Sequence, residues 1–216
     1  MQEQEYALRR EVVEACRKMN SLGINQGTSG NISLRLGEGL LITPSGISYD
    51  ALKPELLAFM HMDGSWEGPC KPSSEWHFHV NILRHKPEVQ AVVHCHPAYA
   101  TIMAIMGREI PAVHYMVAAA GGMSIPCAPY ATFGSPELSA HALEALENRT
   151  ACLLAHHGLI AVGPSLEKAL WVAVEVETLA RQYHGCLQIG EPPVLPEDEM
   201  ERVLEQFRTY GLQEKK

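Results

Sequence analysis

Apolar residues near the start of the chain recur at helical spacing. Leu8, Val12, Ala15, Cys16, Met19 and Leu22 follow the i, i+4, i+7 pattern, and Gly23 is a natural stop. The run Asn25-Gln26-Gly27-Thr28-Ser29-Gly30-Asn31 is small and polar and reads as a loop. Short apolar stretches at Ile32 to Leu36 and Leu40 to Thr43 predict strands around the turn Gly37-Glu38-Gly39, and Leu56 to Met62 predicts another. Pro72-Ser73-Ser74-Glu75 opens a helix that ends before Pro87, with Ser as cap and Glu in the first turn.

The second half repeats the alternation. Ala91-Val92-Val93-His94-Cys95-His96 predicts a buried strand, and Pro97 starts a helix that closes at Gly107. Ser135-Pro136-Glu137 opens a helix through Glu147. Ala151 to Ala155 and Leu159 to Val162 predict strands. Leu166, Ala169, Leu170, Ala173, Val176, Ala180 and Tyr183 share one side of a helix reaching about Ile189. Glu191-Pro192-Pro193 breaks it, and a last helix covers Glu197 to Phe207. No internal repeat or long linker interrupts the series, so the pattern predicts one α/β domain over 1–216.

Composition adds exclusions. Seventeen basic and twenty-five acidic residues give a formal net charge of −8, which argues against nucleic acid or an anionic membrane as partner. No apolar stretch is long enough to span a bilayer. Glu3, Glu5, Arg9 and Arg10 leave no room for the apolar core of a signal peptide, so a cytoplasmic location is expected. The six cysteines include no C-x-x-C pair and read as free thiols. The eleven histidines outnumber the seven tyrosines, and their positions carry the functional reading.

His94 and His96 lie i, i+2 on a predicted strand and therefore point to one face, about 6.6 Å apart along the backbone. Two imidazoles at that spacing can converge on one metal ion, with Cys95 facing the other way. His156 and His157 follow a second apolar strand. Adjacent residues face opposite ways, so one of them can join a site, and spacing does not choose between them. Glu75 lies at its helix start, where an acidic residue also suits the helix dipole. His79 shares that helix face and is a rival ligand, whereas His77 faces away. Asn25 to Asn31, Thr43-Pro44-Ser45-Gly46 and Ser73-Ser74 offer hydroxyls, amides and free backbone N–H groups to an anion without any basic residue. None of them is a Walker loop or a dinucleotide fingerprint.

Taken together these stretches resemble the class II aldolase/adducin family. The resemblance rests on Asn25 to Asn31, Ile42 to Gly46, Pro72 to Trp76, His94-Cys95-His96, Ile110 to Met116, Ala118 to Gly122, Ile125 to Gly134 and His156-His157-Gly158-Leu159. It extends from the first helix to Thr209-Tyr210-Gly211. It implies a three-layer fold, a central β-sheet flanked by helices. It also implies a zinc-dependent lyase acting on a small phosphorylated sugar, with one Zn2+ per subunit and a homotetramer whose sites lie between subunits. On that resemblance His94, His96 and His157 are the imidazole ligands. Glu75 is the fourth ligand of the free enzyme and the base. Gly30, Asn31, Ser45, Gly46, Ser73 and Ser74 form the phosphate pocket. Tyr115 is an acid reaching in from a neighbouring subunit, and Phe133, Phe207 and Tyr210 line the aldehyde side. Lys53, Lys71 and Lys86 sit in polar stretches expected to be exposed, and no Schiff-base lysine is needed.

Overall fold

The computed structural model describes residues 3–208. It opens with α1 (Glu3–Ser21) and continues through β1 (Asn31–Leu36), β2 (Gly39–Ile42), β3 (Ala58–His61) and β4 (Trp66–Glu67). Next come α2 (Trp76–His85), β5 (Ala91–Cys95), α3 (Ala98–Ile105) and β6 (Cys127–Ala128). α4 (Pro136–Ala145), β7 (Ala151–Leu154), β8 (Gly158–Gly163), α5 (Leu166–Leu187) and α6 (Glu197–Phe207) complete it. Among the described residues the eight strands form one sheet in the order β4-β3-β2-β1-β5-β8-β7-β6. Every pairing is antiparallel except that of β6 with β7.

Period-two alternation along the strands builds two cores. Ile32, Leu34, Ala91, Val93, Cys95, Leu153, Leu159 and Ala161 point to one face, where α1, α3 and α5 pack over them. Leu40, Ile42, Val92, Cys152, Leu154, Ile160 and Val162 point to the other, packed with Phe78, Ile82 and Leu83 of α2 and Leu138 and Ala142 of α4. Helices therefore cover both faces, and the three-layer α/β architecture is observed. β5 is buried along its whole length, which is why its sequence reads as an unbroken apolar run.

Several boundaries differ from the pattern-based reading. The stretch before β3 is a 3-10 turn, Pro54–Leu56, because Pro54 fixes the first helical position there. α2 begins at Trp76 with Glu75 at its cap position, where no side chain caps it, so neither serine takes that role. Pro97 is the cap residue of α3 rather than its first residue. α4 ends at Ala145 and α5 at Leu187, each two residues short of the expectation. The two-residue strands β4 and β6 and a 3-10 helix at Tyr115–Ala120 carry no periodicity that a sequence could show. All six cysteines are free.

Candidate active site

The site forms where the central strands end. Asn31 of β1 pairs with His94 of β5, and His94 pairs with Ile160 of β8. His157 immediately precedes β8, so the antiparallel register brings residues distant in sequence side by side. His94 faces the α2 layer and meets the edge of Phe78 at a ring distance of 5.3 Å. His96 lies one residue beyond β5 and keeps the same side. Gly158 sits close against it: a Cβ there would lie 2.7 Å from both the Cys95 carbonyl and the His96 ring. Any side chain at this position would push the ring out of place.

Ligand-capable nitrogens of His94, His96 and His157 all lie within 4.8 Å of one another. His94 Nδ1 is 2.9 Å from the Leu159 carbonyl, which only accepts, so Nδ1 carries a proton and Nε2 is the nitrogen turned toward the cluster. That nitrogen faces His96 Nε2 at 2.9 Å. Burial, with His94 and His157 beside it, pushes the pKa of His96 down to about 3, so its ring is neutral. Glu75 is 5% exposed and completes the group. Its Oε2 lies 3.3 Å from His94 Nε2 and its Oε1 lies 3.2 Å from His157 Nε2. Oε1 is buried without a well-formed hydrogen bond. Burial alone would raise the Glu75 carboxyl, but the neighbouring His94 and His157 outweigh it and hold the group well below the usual range. Converging imidazole nitrogens and a carboxylate oxygen without a well-formed hydrogen bond are the donor set that a divalent cation satisfies.

The structure separates the histidines that spacing left open. His157 joins the cluster. His156 turns away on a left-handed backbone, φ 54°, and lines the cavity above it. His79 does not join the nitrogens: its ring is fully buried between Ser33 Oγ, 2.7 Å from Nδ1, and Asn31 Oδ1, 2.6 Å from Nε2. His77 stacks on Trp76 at 3.7 Å, away from Glu75.

A cavity of about 480 Å³ opens over the cluster, lined by Thr28, Ser29, Ser45, Gly46, Ser74, Glu75, His96, Tyr130, Ala131, Phe133, His156 and His157. Among the described residues no Lys or Arg lines it. The loops that carry its hydroxyls are stitched together. Pro44 bridges Pro72, Ser45 N–H donates to the Lys71 carbonyl at 3.0 Å, and Ser73 N–H donates to the Thr43 carbonyl at 2.9 Å. The third loop is tied down by Asn25, whose Oδ1 accepts from Ser29 Oγ at 3.3 Å and from His96 N–H at 3.4 Å. The Tyr49 hydroxyl donates to the Gly30 carbonyl beneath it.

The expected phosphate residues thus fall into two groups. Ser45, Gly46 and Ser74 line the cavity. Gly30, Asn31 and Ser73 are buried beneath it: Ser73 Oγ accepts from the Glu75 N–H at 3.3 Å, and the Asn31 amide is engaged with Glu75 and His79. Phe133 lines the cavity and remains 66% exposed. Tyr115 starts the 3-10 helix, is 51% exposed and does not line this cavity. Phe207 lines a different one, with Trp171 and Leu204, and Tyr210 lies outside the described residues. Lys53 and Lys71 are exposed, whereas Lys86 is half-buried beside Glu88. Tyr130 and His156 are cavity residues to which the sequence reading gave no role. Tyr130 lies within the Ile125 to Gly134 stretch, and nothing in its spacing marks it.

Comparison with known proteins agrees with this geometry. The chain is 58% identical over 205 residues to a 5-methylthioribulose-1-phosphate/5-deoxyribulose-1-phosphate aldolase from Rhodospirillum rubrum, covering 95% of this chain and 93% of the relative. It is 53% identical over 206 residues to the L-fuculose phosphate aldolase of Escherichia coli, covering 95% and 96%. A solved L-fuculose 1-phosphate aldolase superposes with a TM-score of 0.90 at 37% identity, covering 93% of this chain and 95% of that one. Residues 10–184 match the family described as Class II Aldolase and Adducin N-terminal domain, and the chain belongs to that family.

Proposed function

We propose that this chain is a zinc-dependent aldolase that cleaves a 1-phosphorylated deoxyketose. The first substrate we assign is L-fuculose 1-phosphate, which would yield dihydroxyacetone phosphate and L-lactaldehyde. The observation that carries the reading is the convergence of three imidazoles and a Glu75 Oε1 without a well-formed hydrogen bond beneath a cavity rich in neutral donors. The substrates in the relatives' names share a phosphorylated three-carbon end and differ beyond the bond an aldolase breaks.

His94, His96 and His157 would hold the ion, with Glu75 as a fourth ligand until substrate displaces it. A bound divalent ion supplies a Lewis acid for the negative charge that grows on the ketone oxygen. The hydroxyls of Ser45 and Ser74 and the backbone at Gly46 face the cavity and are placed to grip phosphate. Gly30, Asn31 and Ser73 support that floor from below. Fixing the phosphate sets the reacting carbons against Glu75, which is the orientation part of catalysis. Glu75 then moves the proton at the carbon that becomes the hydroxymethyl end of dihydroxyacetone phosphate.

Tyr115 of the partner subunit would handle the proton of the hydroxyl that becomes the aldehyde oxygen. Its own chain leaves it half-exposed and outside the cavity, as a residue serving a neighbour would be. A homotetramer with sites between subunits would also cover Tyr130 and Phe133, exposed by 60% and 66%. We assign Phe133, with Phe207 and Tyr210, to the aldehyde side.

The test is to load the enzyme with zinc and follow dihydroxyacetone phosphate release. L-fuculose 1-phosphate, 5-deoxyribulose 1-phosphate and 5-methylthioribulose 1-phosphate are compared, with ribulose 5-phosphate as control. Release from the three 1-phosphates, lost on chelation and absent with the control, is expected. The highest kcat/KM on 5-methylthioribulose 1-phosphate would reassign the substrate within the class. No release from any would overturn the aldolase reading.

A further inference from the structure

Glu75 is held from behind by a chain of uncharged side chains that ends deep in the sheet. Asn31 Nδ2 lies 2.9 Å from Glu75 Oε2, Asn31 Oδ1 lies 2.6 Å from His79 Nε2, and His79 Nδ1 lies 2.7 Å from Ser33 Oγ. Ser33 and His79 are each 0% exposed and Asn31 is 3% exposed. Ser33 and Asn31 stand two apart on β1 and so share the face toward α2, while Glu75 and His79 stand one turn apart at the start of α2. The four residues form a ladder between a strand and a helix.

The carboxylate at one end fixes the direction of every proton. Glu75 Oε2 only accepts, so Asn31 presents its NH2 group there and its carbonyl oxygen faces His79. That oxygen also only accepts, so His79 Nε2 bears the proton. His79 Nδ1 then has a lone pair, and the Ser33 hydroxyl donates to it. The opposite orientation of the Asn31 amide would set a carbonyl oxygen against a carboxylate oxygen.

We propose that His79 is a positioning residue for Glu75: as the Nε2–H tautomer it fixes the Asn31 amide, which ties down Glu75 Oε2 and leaves Oε1 as the oxygen that carries the proton. This rests on the reading of Glu75 as the base. Oε1 is the atom the chain leaves without a well-formed hydrogen bond, on the side of His157. An Oε2 already accepting from Asn31 is the poorer proton acceptor, because a proton there would face an N–H donor. The ladder also stops the carboxylate from rotating, which would exchange its two oxygens.

The closing experiment has two independent parts. The first is nitrogen NMR of the enzyme labelled with 15N-histidine, with and without zinc, the His79 signals being those lost in His79→Gln. The Nε2–H tautomer is expected in both states. The Nδ1–H tautomer would overturn the proposal whatever reaction the protein catalyses. The second part compares two substitutions. A Gln amide can place its nitrogen near the position of a histidine Nε2, and an Asn amide near Nδ1. His79→Gln is expected to keep kcat within about threefold, and His79→Asn to lose about tenfold or more. KM and zinc content are expected to stay close to wild type in both. Equal loss in both variants, or kcat and zinc falling together, would show a merely structural histidine and overturn the proposal. If wild type released no dihydroxyacetone phosphate, the aldolase reading would fail while the tautomer measurement still decided the hydrogen-bonded chain.

Discussion

Acid should unfold the metal-free protein partly through His79, and the size of the effect can be worked from its surroundings. The ring is 0% exposed, enclosed by Ser33, Asn31 and the Phe78 ring at 4.6 Å. Burial and the nearby His94 push its pKa from 6.5 down to about 3, against a smaller opposing pull from Glu75. The unfolded chain binds a proton on this residue below its ordinary pKa, and the folded chain does not. The stability contribution is therefore complete above that value and drains away as the pH falls toward the folded pKa. From about pH 7.5 to about pH 5 the loss is about 2 kcal/mol, a sizeable part of a typical domain's stability.

The perturbation is His79→Gln, which keeps a hydrogen-bonding amide and removes the titration. The assay is urea unfolding of the chelated protein at several pH values, with protomer concentration held constant. Keeping the pH above about 5 excludes Glu75, whose lowered pKa takes effect only in stronger acid, and Glu177, which burial raises, is common to both proteins. His96 is also held neutral by burial and adds its own slope in both proteins. Wild type should thus lose about 2 kcal/mol more than the variant across the window, about 1 M in urea midpoint. Parallel stability curves for the two proteins would refute the reasoning, because they would mean that the folded protein protonates His79 as readily as the unfolded one does.

Three further outcomes follow from the site. The double substitution His94→Ala, His96→Ala should abolish divalent metal binding by elemental analysis, and full metal content would place the metal elsewhere. Glu75→Gln should keep the fold and lose at least about 100-fold in kcat with metal content measured on the same sample, the usual contribution of general acid–base catalysis; near-normal turnover of the loaded variant would reduce Glu75 to a helix-start acid. Ser74→Ala should weaken binding of phosphorylated substrate by about 1–3 kcal/mol, seen as a higher KM and weaker inhibition by inorganic phosphate, whereas unchanged values would move the phosphate off this loop.

The legible part of this site is the part that local periodicity encodes. His94 and His96 declare themselves because a strand repeats every two residues, so both imidazoles fall on one face of an otherwise apolar strand. The apolar spacing located α1 and α5 well, because each buries one stripe. What periodicity does not encode is orientation at element ends. Glu75 reads as an ordinary first-turn acid, yet it occupies the cap position of α2 with its carboxylate turned into the sheet. The choice between His156 and His157 depends on a left-handed residue, φ 54°, that the sequence marks with no glycine. Only the family resemblance pointed to His157.

Asn31 carries the argument furthest. Its amide looks like one more phosphate donor in a Ser/Gly/Asn loop, and its actual neighbours are set by sheet register. Asn31 stands opposite His94 because β1 pairs with β5, and beside His79 because α2 packs over β1 on that face. Neither neighbour is near it in sequence. The same long-range pairing that brings the imidazoles together buries the Asn31 side chain behind them, where it serves Glu75. The loops above it are held by backbone hydrogen bonds between Ser45 and Lys71 and between Ser73 and Thr43. Two sets of donors that the sequence writes in one run of polar residues are thus separated in depth: the Asn31 amide at the strand ends beside Glu75, and the hydroxyl of Ser29 in the loop that lines the cavity.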